Sequence, residues 1–173
     1  MKKSTKIHAR TIAAFGMLVA LEIVLNRFLS INTWSLKIGF SFVPVAVAGM
    51  LYGPWGGAVV CALADFLGAV LFPIGPYFPG FTLTAACTGA VLGFFLHKNP
   101  TLPRIAAAVA INNLFFSLVV NSVWISLLYS KVFAALLLSR LLQCAVMVPV
   151  QLLVIAALRL PMARLRKERS HED

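Results

Sequence analysis

Apolar residues fill this chain in long blocks, and polar or turn-forming residues interrupt them at only a few points. The blocks cover roughly residues 9–29, 40–53, 55–72, 80–97, 104–129 and 133–160. A helix that crosses a bilayer needs about 20 residues, mostly apolar. The pattern therefore predicts six spanning helices, of which the second and third are short and must be tilted or broken. Tyr52-Gly-Pro-Trp-Gly-Gly57 separates those two and reads as a tight helix-to-helix turn with Trp55 at interface depth. Six crossings leave both termini on one side. The expected fold class is an all-α integral membrane protein. It is a single membrane domain over residues 1–173, with mobile charged tails at 1–8 and 163–173.

One interruption differs from the others. Phe72-Pro-Ile-Gly-Pro-Tyr-Phe-Pro-Gly-Phe-Thr-Leu-Thr-Ala85 packs three prolines, two glycines and four aromatics into fourteen positions. Proline fixes φ and glycine admits φ > 0, so this backbone is bent into a defined shape and cannot continue a helix. Non-helical backbone beside a membrane is tolerated only where protein buries it or where it lines a cavity. The segment is expected to form a wall of a small-molecule pocket.

Composition strengthens the membrane assignment. The chain is 61% hydrophobic and 12% charged, with a mean hydropathy of +0.93, far more apolar surface than one soluble core would take up. The net charge of +10 would suit a nucleic-acid binder, but its placement argues against that class. Lys2, Lys3, Lys6 and Arg10 lie at the start, and Arg159, Arg164, Arg166, Lys167 and Arg169 near the end, with no basic patch interleaved with aromatics. Such clusters are topology signals and contacts to lipid headgroups. With Lys98 and Arg104 of the fourth connection they gather eleven of the fifteen Lys and Arg residues on one side. Arg27, Lys37, Lys131 and Arg140 are left for the other. The positive-inside rule places both termini in the cytoplasm, and the first, third and fifth connections outside.

Several chemistries find no support. Cys61, Cys87 and Cys144 stand singly in apolar runs without C-x-x-C spacing, so packing is expected in place of a metal centre or a disulfide. His8, His97 and His171 do not cluster and are expected to be solvated or to meet headgroups. The first apolar block is too long for a cleavable signal peptide, and no nucleotide-binding G-x-x-x-x-G-K-[ST] stretch occurs. Uphill transport would draw its energy from another chain or an ion gradient. No cofactor is expected.

Charges inside a bilayer are costly, which makes Glu22, Arg27, Asp65 and Arg140 candidates for function. Arg27 and Arg140 fall in the outer half, on the side of Lys37 and the proline-rich loop. Cations around an outward cavity suit a carboxylate ligand, because Arg pairs with carboxylates in two parallel hydrogen bonds. The alternative is snorkelling to headgroups, or pairing with Glu22 and Asp65 to hold helices together. Asn112, Asn113, Asn121 and Ser122, with Gln143 and Gln151, are polar residues of the fifth and sixth spans. Asn113, Asn121 and Gln143 could bind a polar heterocycle, or could join helices. Asn121 and Trp124 share one helical face, offering an amide beside a flat ring. On the first span Ala13, Gly16 and Ala20 form a small-residue face, which by itself favours close packing against another helix of the same bundle.

These residues together resemble the S components of energy-coupling factor (ECF) vitamin transporters. Gly49-Met-Leu-Tyr-Gly-Pro-Trp-Gly-Gly57, Ala62-Leu-Ala-Asp-Phe-Leu-Gly68 and the Phe72–Ala85 run are similar to the folate-specific branch, and the likeness covers residues 9–160. The resemblance implies a six-helix bundle with an outward pocket closed by the first, third and fifth loops. It implies a bacterial plasma-membrane location and partnership with a membrane-embedded T component and two cytoplasmic ATPases. It implies that the loaded bundle topples in the membrane to deliver its cargo. Gly16 and Ala20 match the family's Ala-x-x-x-Ala contact with the T component, with Gly in the first place.

Folate chemistry then distributes roles. Arg27, Lys37 and Arg140 are candidates for its two glutamate carboxylates; Tyr77, Phe81, Asn121 and Trp124 for its flat pterin; and Asp65 for the pterin N–H groups. Thr82 and Gln143 complete the expected site. The reading is a substrate-capture subunit without catalytic residues. Its rivals are an S component for another vitamin, such as riboflavin, biotin or pantothenate, and a small non-transport membrane protein. An intramembrane enzyme would need a nucleophile–base pair or metal cluster, which Asp65 and Glu22 standing alone do not supply.

Overall fold

The computed structural model describes the backbone of residues 9–32, 37–73, 77–98, 100–129 and 133–172, and side chains over 9–30, 39–73, 77–98, 100–128 and 140–162. Helix α1 spans Ala9–Arg27, α2 Phe42–Leu71, α3 Pro79–Leu96, α4 Leu102–Ala110, α5 Asn121–Tyr129 and α6 Phe133–Glu172. A π-helical stretch, Ile111–Val120, joins α4 to α5 without interruption. Between α1 and α2 lie two short antiparallel strands, β1 (Ile31–Asn32) and β2 (Lys37–Ile38), with Ile31 opposite Ile38 and Asn32 opposite Lys37. This small ribbon departs from the purely helical expectation. It sits where the first apolar block has ended and the backbone needs partners outside a helix.

Among the described residues, five helical stretches are long and apolar enough to cross a bilayer: Ala9–Arg27, Phe42–Leu71, Pro79–Leu96, Leu102–Leu128 and Arg140–Met162. The second holds both the expected second and third helices. Inside α2 the helical conformation breaks at Gly53, with φ 76° and ψ −163°, and resumes at Pro54. Glycine admits that positive φ, and proline next to it has no N–H to lose. A Cβ on Gly57 would come within 3.5 Å of the Gly49 Cα, although eight residues of straight helix separate such positions by about 12 Å. The chain folds back on itself at this point.

Helix α3 packs against both arms of the fold-back through backbone. A Cβ on Gly49 would lie 2.9 Å from the Gly93 Cα, while one on Gly57 or Gly89 would strike the carbonyl of the other. His97 at the end of α3 rests over Gly53 and contacts the Met50 carbonyl through Nδ1 at 3.2 Å. The expected solvated histidine is thus a packing residue of the turn. Pro79 and Pro103 lie in the first turns of α3 and α4, where a missing N–H costs no hydrogen bond. Helix α6 passes through both Pro149 and Pro161 and runs to Glu172, whereas the sequence reading ended it at residue 160 and left 163–173 as a mobile tail. Proline kinks a helix and removes one hydrogen bond, but the turns on either side can persist.

The apolar core is concentrated toward the end of the bundle that holds the α3–α4 connection. Val45, Ala46, Met50, Leu92, Leu96, Ile105, Ala108, Val109 and Ile155 form its main cluster. Val19, Ile23, Ala48, Val60 and Ala64 seal α1 onto α2. Large apolar side chains also cover the outside: Met17 is 74% exposed, Phe94 72% and Leu153 73%. An exterior of this kind suits lipid contact. The opposite end of the bundle carries most of the candidate polar residues.

Candidate functional site

Asp65, Thr82 and Tyr77 meet where the outer arm of α2 adjoins the start of α3. Thr82 Oγ1 donates to Asp65 Oδ2 at 2.8 Å and lies 3.2 Å from the Tyr77 hydroxyl. The Tyr77 ring stands edge-on to Phe66 at 5.8 Å. Asp65 is half-buried and tied to Thr82 in the first turns of α3, so the second half of the proline-rich run, from Pro79 on, is helix and not the non-helical segment expected.

Beside this network Phe78 joins Phe81 at 6.1 Å and Trp124 of α5 at 5.2 Å. Gly80 makes that cluster possible: a Cβ there would run into the Phe78 ring and stand 3.0 Å from Trp124 Cε2. Trp124 Nε1 donates to Thr84 Oγ1 at 3.1 Å, and Thr84 Oγ1 donates to the Gly80 carbonyl at 2.8 Å. The indole donor is therefore engaged within the protein, which leaves Trp124 a ring surface to offer. Asn121, one turn before Trp124, is half-buried.

The two arginines occupy different settings. Arg27 closes α1 and turns its guanidinium to Gly68 of α2. Arg140 on α6 is only 7% exposed and donates from Nη1 to the Ser117 carbonyl at 2.6 Å. Snorkelling does not describe Arg140, because its side chain points into the bundle. Its acceptor belongs to the π-helical stretch, whose wider i→i+5 turns leave carbonyl geometry unlike that of an α-helix. Gln143, one turn further, is buried as well. Glu22, 4% exposed, accepts from Asn26 Nδ2 at 2.8 Å within α1. Lys37 lies on β2, and its side chain falls outside the described residues.

Other polar candidates serve as joints between helices. Asn113 Nδ2 donates to the Val109 carbonyl at 2.9 Å and to Gln151 Oε1 at 2.7 Å, while Asn112 Nδ2 reaches the Thr88 carbonyl at 3.3 Å. Both N–H donors of Asn113 are thereby committed within the bundle. Cys144 Sγ lies 3.4 Å from the Asn113 carbonyl, and among the described residues the cysteines are free. On α1, Ala13, Gly16 and Ala20 are exposed, and a Cβ on Gly16 would meet nothing within 4 Å. Packing within the bundle, which the small-residue pattern favoured on its own, is overturned.

The sequence reading missed Phe78, Gly80, Thr84, Gly68 and Ser117. The first three lie inside the proline-rich run, and the Gly80–Thr84 spacing of one helical turn was the available signal. Ser117 acts through its carbonyl, which no side-chain pattern announces. The assembled end of the bundle offers flat rings, a carboxylate with a fixed hydroxyl neighbour, and two guanidinium groups. That combination suits a planar heterocycle bearing anionic groups.

A model of the family described as "ECF transporter, substrate-specific component" matches residues 10–159. Over 151 residues, 87% of either chain, the protein is 40% identical to the Folate transporter FolT of Clostridium novyi (strain NT). It is 32% identical over 108 residues to the Folate transporter FolT of Leuconostoc mesenteroides subsp. mesenteroides, covering 61% of this chain and 58% of that one. In three dimensions it is similar to the crystal structure of FolT bound with folic acid. The TM-score is 0.79 at 34% identity, over 84% of this chain and 89% of the other.

Proposed function

The chain belongs to the family of ECF transporter substrate-specific components, and from that premise we propose that it captures folate outside the cell and delivers it inward. The family is one of transporter subunits, not of enzymes. The observation that carries the reading is the 40% identity, over 87% of both chains, to a protein named Folate transporter. The likeness to a FolT structure that holds folic acid supports it further. Delivery proceeds by toppling, in complex with a T component and two ATPases that supply the energy.

The architecture proposed is a single membrane domain of six spans with both termini cytoplasmic. The reversal at Gly53 supports six, since it divides α2 into two arms that pass the same face of α3. The distribution of Lys and Arg supports the orientation. In this frame the Tyr77–Thr82–Asp65 network and the Phe78–Phe81–Trp124 cluster lie at the outer mouth. The rings stack on the pterin, and Asp65 accepts from its N–H groups. Arg27, Lys37 and Arg140 take the glutamate carboxylates, with Asn121 and Gln143 bonding the remaining polar atoms. The open face of Ala13, Gly16 and Ala20 receives the T component, because small residues let another helix backbone come close.

Tryptophan fluorescence tests the substrate. Folate added to the purified protein quenches emission at submicromolar concentration, while riboflavin and biotin do not. Quenching by one of those vitamins without folate would reject the assignment.

A further inference from the structure

The Trp124 ring is held at one edge by a relay that crosses from α5 to the first turns of α3. An indole N–H donates and cannot accept, so Thr84 Oγ1, 3.1 Å from Nε1, serves as its acceptor. A hydroxyl carries one proton, and Thr84 directs its own to the Gly80 carbonyl at 2.8 Å. Both bonds therefore run one way, from Trp124 to Thr84 to Gly80. Thr84 is 5% exposed, which keeps water from replacing either bond. Gly80 meets the same edge of the indole: a Cβ there would stand 3.0 Å from Cε2, the carbon bonded to Nε1. Phe78 leans on the ring at 5.2 Å, with its plane tilted by 52°. These neighbours bound where the indole sits, and the hydrogen bond fixes its rotation about χ2, because turning the ring over would carry Nε1 away from Thr84. Trp124 is only half-buried, so part of the ring remains accessible.

We infer that Thr84 is a positioning residue for the bound heterocycle: its hydroxyl sets the plane of the Trp124 ring, and with it the surface on which a flat ligand lies. The inference rests on the reading of Trp124 as a ring that stacks on the pterin. Thr84 acts through Trp124, since both bonds of its buried hydroxyl are made within the protein. The engaged indole N–H is withdrawn from the ligand, so Trp124 selects by ring face and shape. Without the hydroxyl the N–H loses its acceptor, and the ring turns to find another. Valine has the branched shape of threonine without the hydroxyl, so Thr84→Val removes the relay while filling its place.

The test uses the purified full-length protein. Thr84→Val weakens folate binding about tenfold, and Thr84→Ser, which keeps the hydroxyl, stays within about twofold of wild type. In a Trp124→Phe background, where the indole N–H is gone, Thr84→Val has no further effect, as a double-mutant cycle requires of two residues acting as one unit. Ligand-free protein carrying isotope-labelled tryptophan gives three indole N–H signals by NMR, and the one missing from Trp124→Phe belongs to Trp124. That signal moves in Thr84→Val and holds its place in Thr84→Ser. Thr84→Ala makes the same comparison if the valine variant does not fold. An unmoved Trp124 signal, unweakened folate binding by Thr84→Val, a serine variant as weak as the valine one, or an undiminished loss in the Trp124→Phe background would overturn the inference alone. Folate binding by Trp124→Leu equal to that of wild type would overturn the stacking role of Trp124 and this inference with it. Wild-type protein that does not bind folate would overturn the folate reading itself.

Discussion

Thr82 links two groups that neither helix could bring together alone. Its hydroxyl donates to Asp65 on α2 and meets Tyr77 in the loop before α3. Thr82→Val removes the donor and leaves a half-buried carboxylate without it, so a loss of about 1–3 kcal/mol in stability is expected. Tyr77→Phe gives up a longer bond at an exposed site and costs less than about 1 kcal/mol. Thermal melting of the purified variants measures both, and equal shifts would mean that Thr82 does not organise the network. At this scale the sequence identified residue types well. The proline-rich run and the cost of charge in a membrane drew attention to Asp65, Tyr77 and Thr82, and the shared helical face with Asn121 drew it to Trp124. Their partners were not legible, since a hydroxyl or an indole N–H has many possible acceptors and only coordinates choose among them. Asn113 illustrates the point: its amide is committed to Val109 and Gln151.

Glycine has opposite meanings in different elements. Between α2 and α3, Gly49, Gly57, Gly89 and Gly93 bring backbone against backbone, and an added Cβ would collide with main-chain atoms. Main-chain atoms cannot rotate aside, so Gly89→Ala is expected to destabilise by more than about 3 kcal/mol and to abolish recovery of folded protein. Gly16 faces open space on α1. Gly16→Leu is expected to leave folate binding intact while abolishing uptake and co-purification with partner subunits. Retained uptake would remove the helix face from the partner contact. Pattern alone could not separate these cases, because small-residue spacing is the same whether the neighbour lies in this chain or another. The π-helical stretch Ile111–Val120 was equally hidden. Its residues are as apolar as those of α3, and it meets α6 through Asn113 with Gln151 and through the Ser117 carbonyl with Arg140.

The whole molecule is polarised. Its main apolar cluster lies toward the end with the α3–α4 connection, and the Phe78–Phe81–Trp124 cluster with Arg27 and Arg140 lies toward the other. A bundle closed at one end and chemically equipped at the other suits capture from one face of a membrane. Cysteine labelling checks the orientation. With Cys61, Cys87 and Cys144 replaced by alanine, Ser4→Cys and Ser170→Cys are expected to react with an impermeant maleimide only after the cells are opened. Ser130→Cys, in the fifth connection, is expected to react in intact cells. The reverse pattern would invert the topology and place the candidate site on the cytoplasmic side.

The sequence by itself determined a greasy helical bundle, the identity of the charged residues and the family resemblance, which the family match across residues 10–159 bears out. Each of those is a property of residue type and order along the chain, and hydropathy and backbone restriction act locally. Only the tertiary structure decided that Arg27 turns its guanidinium to Gly68, that Asp65 belongs to Thr82, that His97 packs on the Gly53 turn and that Gly16 faces outward. Those facts depend on which helix stands beside which, and in a chain so uniformly apolar that choice is made by shape and hydrogen-bond complementarity across helices, which no one-dimensional pattern contains.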